Sequence, residues 1–202
     1  MNREALVIVD FHKAFGKLGG LPVAGAEEIA PAIQNQMNLT RTASGLIVAT
    51  RDWHPKNTVH FKNNGGPWPI HGEAGSQESE YIDGIDTRMI DHHIYKGYKD
   101  SDDGYSGFEG VDKLIGNAEM GFQIASDARS LEQILRESSV RVLKIVGLAT
   151  DFCVFSTAKD GKELGFDVEV IRSGIAAVNV PGLPSGEEKL RQLADVGVKI
   201  VS

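Results

Sequence analysis

Cys153 is the single cysteine of the chain and stands in the segment GLATDFC, shortly after the apolar run Val142–Val146. A lone cysteine is commonly no more than a small buried hydrophobe. Here helical spacing begins at the cysteine, so the thiol lies at a helix N-terminus, where the dipole and free N–H groups favour thiolate. The same N–H groups could hold the oxyanion formed when a carbonyl is attacked. A thiol nucleophile also needs a group that takes its proton and returns it to a leaving amine. Asp10, directly after the run Ala5–Val9, can do this if desolvated, with the ammonium of Lys96, directly after Met89–Tyr95, orienting and tuning it. Alone, Asp10 would read as a turn cap and Lys96 as a solvated charge. With Cys153 they form an Asp–Lys–Cys triad suited to hydrolysing a carboxamide.

A second constellation follows the run Leu46–Thr50. Asp52 and His54 form an Asp-x-His pair, and His71 lies beyond the turn GGPWP. Nitrogen and oxygen donors of this kind suit one divalent ion, Zn²⁺ first and Fe²⁺ or Mn²⁺ as alternatives, with positions left open for water and substrate. His60 reads equally as a fourth donor or as a surface histidine. His92 and His93 fall inside the third apolar run and read as structural or supporting residues, and His12 lies near the site without an assigned task. The acidic stretch Asp100–Gly104, DSDDG, resembles a calcium loop only faintly. Val111 stands where the closing glutamate should be, so a solvated acidic lid is the better reading.

These residues must be delivered by regular elements. Six short runs rich in Val and Ile recur: Ala5–Val9, Leu46–Thr50, Met89–Tyr95, Val142–Val146, Val168–Ile171 and Val198–Val201. Several are apolar at nearly every position, as expected of strands covered on both faces. Helices are expected at Gly25–Thr42, Ser126–Glu137, Cys153–Leu164 and Ser185–Val196, with Ser126 and Ser185 as N-caps and Gly165 ending the third. The alternation predicts an α/β domain, a doubly wound, six-stranded, mainly parallel sheet with helices on both faces, Rossmann-like in outline. In such sheets ligands bind beyond the carboxyl ends of the strands, which is where Asp10, Asp52, His54, Lys96 and Cys153 fall. The connections Asp52–Arg88 and Gly97–Ala125 are too long for turns and read as functional loops. No repeat or linker divides residues 1–202, so one domain is expected.

Composition narrows the class further. The chain has 202 residues, with 21 Lys+Arg against 28 Asp+Glu for a net charge of -7. The basic residues do not cluster, which argues against nucleic acid as a partner. No apolar run is long enough to span a membrane, the first residues lack a signal-peptide layout, and one cysteine fits a reducing cytoplasm. The first βα turn, DFHKAFGKLGG, lacks the Gly-x-Gly-x-x-Gly fingerprint of a dinucleotide site.

Taken together, the motifs resemble the isochorismatase-like cysteine hydrolases and, among them, the nicotinamidase/pyrazinamidase group. The resemblance runs over nearly the whole chain: LVIVDFHKAF, ATRDWHP with FKNNGGPWPIHG, IYKG, YSGFEG and GLATDFCV. It implies Asp10, Lys96 and Cys153 as catalytic residues and Asp52, His54 and His71 as ligands, with His60 at a position that some members use. It implies a non-proline cis peptide between Leu148 and Ala149, and an oxyanion hole from the N–H groups of Ala149 and Cys153. It also implies a ring pocket of Phe15, Trp68, Tyr105 and Leu148. The activity implied is conversion of nicotinamide, and of pyrazinamide, to the acid and ammonia through a cysteine thioester, in NAD salvage. The metal ligands favour this group, because related hydrolases commonly lack them. The chain departs from the pattern at His12–Phe15, where many members have Gln-Asn-Asp-Phe, and at Phe152, where Tyr or His is frequent. Group members often self-associate, which leaves room for a homo-oligomer. The rival readings are another amide or carbamoyl hydrolase on this scaffold and a non-catalytic ligand-binding module.

Overall fold

The computed structural model describes residues 3–101 and 103–202. Its main sheet has six strands, all paired in parallel: β1 (Arg3–Val9), β2 (Leu46–Asp52), β3 (His92–Lys96), β6 (Val140–Leu148), β7 (Asp167–Ala176) and β8 (Lys199–Val201). Their spatial order is β3-β2-β1-β6-β7-β8. The chain therefore winds outward from β1 in one direction and from β6 in the other. The crevice between β1 and β6 is the switch point where open α/β sheets bind ligands.

Strand periodicity divides the core. Ala5, Val7 and Val9 of β1 face the helices α2 (Leu131–Glu137), α3 (Phe155–Glu163) and α4 (Gly186–Asp195). Leu6 and Ile8 face the other way, onto α1 (Ala30–Thr42) and onto Phe11, Phe15 and Ile82 of the flanking loops. Gly147 lets β6 lie tight against β1. It has φ 113°, and a Cβ there would meet Val9 O at 2.0 Å.

The elements differ from the sequence expectations at several boundaries. The first helix starts at Ala30, not at residue 25, because Pro31 has no N–H and must lie in the opening turn. The second is capped by Ser130 rather than Ser126. Ser130 and Gln133 satisfy each other's backbone N–H groups in a capping box, whereas Ser126 has Arg129 three residues on. Ser185 caps α4 as expected, closing its box with Glu188. Gly165, at φ 86°, follows α3. β3 begins at His92, since Thr87–Met89 form a short 3-10 turn capped by Asp86.

The long connections hold more structure than their patterning suggests. Residues 97–125 include an antiparallel hairpin of β4 (Leu114–Asn117) and β5 (Gly121–Ile124). The Asn117 side chain accepts from the N–H groups of Glu119 and Met120 and closes its turn. None of the described helices is long and apolar enough to cross a membrane.

Because β6 approaches β1 through Gly147, replacing this glycine by alanine should cost more than about 2 kcal/mol of stability. Urea unfolding of Gly147→Ala measures this, and a midpoint equal to that of the unsubstituted protein would show that the two strands can part without cost.

Candidate active site

Four strand ends deliver the site. Asp10 is the first residue after β1, and its φ of 46° lies in the left-handed region, which aspartate tolerates better than most residues. Thr50 of β2 fixes it twice: the Asp10 N–H donates to Thr50 Oγ1 at 3.2 Å, and the hydroxyl donates to Asp10 Oδ1 at 2.7 Å. The β2–β3 register sets Asp52 opposite Lys96. Lys96 is fully buried. Its Nζ lies 2.8 Å from Asp10 Oδ2, 2.5 Å from Asp52 Oδ1, 2.8 Å from Gly104 O and 3.4 Å from Cys153 Sγ. A carboxylate oxygen of Asp10, one of Asp52 and Cys153 Sγ all lie within 4.8 Å of one another.

This packing sets the proton affinities. Burial, opposed in part by the Lys96 ammonium and reinforced by Asp52, pushes Asp10 up to about 6. Burial also raises Asp52, but Lys96 and the neighbouring imidazoles outweigh it and hold that carboxyl well below the usual range. Burial works against charge on Lys96, yet Asp10 and Asp52 hold the ammonium firmly protonated. The sequence expectation of a thiolate favoured by a helix N-terminus fails here. Cys153 sits in a π-helical turn, Thr150–Val154, ahead of α3, and burial raises its thiol well above the ordinary value, with the two carboxylates adding to the rise against Lys96. A sulfur in such surroundings calls for a neighbouring base to take its proton.

Beside the triad, three imidazoles converge. His54, His60 and His71 are all buried, and each offers a ring nitrogen within 4.8 Å of the others. Their outward nitrogens are spoken for. His54 Nδ1 bonds Gly97 O at 2.9 Å, His71 Nδ1 bonds Pro69 O at 2.8 Å, and His60 Nδ1 bonds Asp103 Oδ1 at 2.6 Å. A carbonyl or carboxylate only accepts, so Nδ1 of each ring is the donor there and each Nε2 is turned toward the cluster. Burial pushes His54 down to about 3 and lowers His71 as well, so both rings are neutral near pH 7. Asp52 Oδ2 lies 3.8 Å from His54 Nε2 and 3.9 Å from His71 Nε2, while its Oδ1 serves Lys96. Buried His54 Nε2 has no hydrogen-bond partner among the described residues. Three converging imidazoles beside a carboxylate fit a divalent ion, and buried His60 belongs with them rather than on the surface. Gly97 makes room for this: with φ 64°, a Cβ there would fall 2.4 Å from the His54 ring.

A narrow pocket opens onto both groups. Phe15, Trp68 and Tyr105 line it, as does Ala149 beside Cys153. Trp68 Nε1 donates to Tyr105 Oη at 2.8 Å and locks that pair. Leu148 corrects the sequence expectation. It is packed in the core layer under α1 and is not among the lining residues, because successive strand residues face opposite ways and Ala149 takes the wall. The peptide between Leu148 and Ala149 is cis. The acidic stretch 100–104 is also more than a solvated lid, since Gly104 O meets Lys96 and Asp103 meets His60; its residue 102 lies outside the described residues.

Comparison with known proteins agrees with this geometry. The model of the isochorismatase domain matches residues 4–201. The chain belongs to the isochorismatase family. It is 32% identical to the nicotinamidase of Acinetobacter baylyi over 100% of this chain and 93% of that protein. Among solved structures, the pyrazinamidase of Pyrococcus horikoshii in complex with zinc is 32% identical, with a TM-score of 0.82 and 99% of each chain covered. PnC1 from L. infantum in complex with nicotinate is 30% identical, also at a TM-score of 0.82, covering 100% of this chain and 93% of that one.

Within this isochorismatase-family site, several contributors escaped sequence reasoning. His12, which had no assigned task, is fully buried. Its Nε2 accepts the Asp52 N–H at 3.3 Å and its Nδ1 bonds Glu78 O at 3.2 Å, so it props the main chain of Asp52. Arg51, lying 4.8 Å from the Trp53 ring and 5.2 Å from that of Tyr81, donates to Ser79 O and pins the turn that carries Glu78. Asp151 accepts from the N–H groups of Val178 at 3.0 Å and Asn179 at 2.7 Å, setting Val178 on the pocket wall. Phe152 also lines the pocket, edge-on to Trp68 at 4.9 Å. His93 bonds Tyr81 Oη at 2.6 Å, away from the metal donors. His12, Arg51, Asp151 and Phe152 all lie inside the quoted motifs, but the contacts that give the first three their tasks are long-range.

The donor set predicts that the purified protein holds about one divalent ion per chain, and that His54→Ala or His71→Ala lowers the content at least tenfold. Elemental analysis after dialysis checks this, and a metal content in both variants equal to that of the unsubstituted protein would remove the two imidazoles from the site.

Proposed function

We propose that this chain is a nicotinamidase that hydrolyses nicotinamide, and pyrazinamide as a surrogate, to the carboxylate and ammonia in NAD salvage. One observation carries the reading: the Lys96-centred cluster of Asp10, Asp52 and Cys153 shares a single aromatic pocket with three inward-facing imidazoles. The names of the relatives agree with it. Residues 1–202 act as one hydrolase domain, and a reducing cytoplasm suits its working thiol.

In the reaction, the heteroaromatic ring occupies the pocket of Phe15, Trp68 and Tyr105, with the carboxamide toward Cys153. Asp10 takes the Sγ proton, and the sulfur lone pair adds to the amide carbon. The N–H groups of Ala149 and Cys153 hold the resulting oxyanion. As the carbon–nitrogen bond breaks, Asp10 returns the proton to the departing ammonia and a thioester remains. Asp10 then takes a proton from water, whose oxygen attacks the thioester carbon. The carbon–sulfur bond breaks, the carboxylic acid leaves and the thiol is restored. Lys96 keeps both carboxylates ordered and holds positive charge beside the sulfur throughout.

Asp52, His54 and His71, with His60 as the fourth donor, would hold the metal ion, and zinc suits three imidazoles and one carboxylate best. Bound there, the ion supplies a Lewis acid for a ring nitrogen, which selects pyridine and pyrazine amides over benzamide. The zinc-bound pyrazinamidase relative supports that assignment.

Cys153→Ala should lower ammonia release from nicotinamide by roughly a thousandfold or more. Benzamide should be a poor substrate for the unsubstituted enzyme. A coupled ammonia assay tests both, and substantial turnover by the variant would sink the nucleophile assignment.

Asp10 must be ionised to accept the thiol proton. Its carboxyl is raised to about 6, so kcat/KM should be level above that pH and fall about tenfold per unit below it. A pH–rate profile that stays flat down to pH about 4.5 would exclude Asp10 as the base.

A further inference from the structure

His54 and His71 are steered by backbone carbonyls, those of Gly97 and Pro69, which no side-chain substitution can remove. His60 is different. Its Nδ1 bonds a side chain, Asp103 Oδ1, at 2.6 Å, the short length of a charge-assisted hydrogen bond. The His60 ring is buried and stacks on His54 at 4.6 Å and 20°. Stacking fixes the plane of an imidazole but not which nitrogen points inward, since a half-turn of the ring preserves the overlap. A hydrogen bond from Nδ1 fixes the latter. Asp103 is itself held in reach on both sides. The Val59 N–H donates to Asp100 O at 2.9 Å, and Lys96 Nζ donates to Gly104 O at 2.8 Å.

We infer that Asp103 is a positioning residue for the metal donors: by accepting a hydrogen bond from His60 Nδ1, it aims that ring's Nε2 at the cluster. The inference rests on the reading of His60 as a donor given above. Carboxylates that accept from a ligating imidazole fix its tautomer and strengthen its lone pair, and their loss typically costs about 10–100-fold in metal affinity. The Asp103 side chain is 48% exposed, so its carboxylate stays hydrated while the ring it serves is buried. It also lines the pocket beside Tyr105, so one side chain borders both the donors and the substrate space.

The test is zinc affinity of the full chain, measured by competition with a chromophoric chelator, for Asp103→Ala, Asp103→Asn, His60→Ala and the Asp103→Ala/His60→Ala double variant. Asp103→Ala should weaken binding about 10–100-fold. Asp103→Asn should lose less, because an amide oxygen still accepts the Nδ1 proton. In the His60→Ala background, Asp103→Ala should cost nothing further, which separates action through His60 from a general effect on the segment. If His60→Ala weakens binding but Asp103→Ala does not, or if Asp103→Ala costs as much without His60, the inference is overturned while the donor set stands. If His60→Ala itself leaves zinc affinity unchanged, His60 is not a donor, and both readings of that ring fall together.

Discussion

A protonated lysine with no exposed surface sits between two carboxylates, and the arrangement of the strand ends follows from keeping it charged. A buried ammonium left alone would lose its proton, and two buried carboxylates left alone could not both ionise. Lys96 settles both problems by contacting Asp10 and Asp52 together, with Gly104 O accepting a further hydrogen bond from the ammonium. Those contacts require β3 to pair beside β2 in the observed register and β1 to end at the same level. The sulfur then lies next to a fixed positive charge and a carboxylate of raised proton affinity.

Those two carboxylates show how environment divides labour between like groups. Asp10 touches Lys96, Thr50 and the thiol side of the crevice, and burial dominates its titration. Asp52 faces the same ammonium and, in addition, the imidazole cluster, so charge dominates there. The same ammonium thus lies between a carboxyl of raised proton affinity and one of lowered proton affinity. Separated proton affinities of this kind are what acid–base chemistry and metal binding respectively call for.

Much of this was legible in the chain because local signals and global topology agree. Val/Ile runs ending in Asp10, Asp52 and Lys96 give strand type, sheet edge and chemistry at once, and the Asp-x-His spacing puts two donors on one short segment after β2. What stayed hidden depends on distance in sequence. The bonds from His12 to Glu78, from Arg51 to Ser79 and from Asp151 to Val178 join segments that no periodicity relates. The start of α1 and the cap of α2 were missed for a local reason, Pro31 and the Ser130–Gln133 pair, which the residues themselves display. At the thiol, burial beside two carboxylates opposes the helix N-terminus, a balance that the spacing of GLATDFC does not display.

Asp52 uses one oxygen on Lys96 and turns the other toward the imidazoles. Two sub-sites thus hang from a single carboxyl, and by reciprocity of linked equilibria whatever loads one must retune the other. Kinetic losses from replacing this residue are accordingly indivisible. The buried lysine thus calls for an anion at position 52 whether or not the imidazoles beside it are kept.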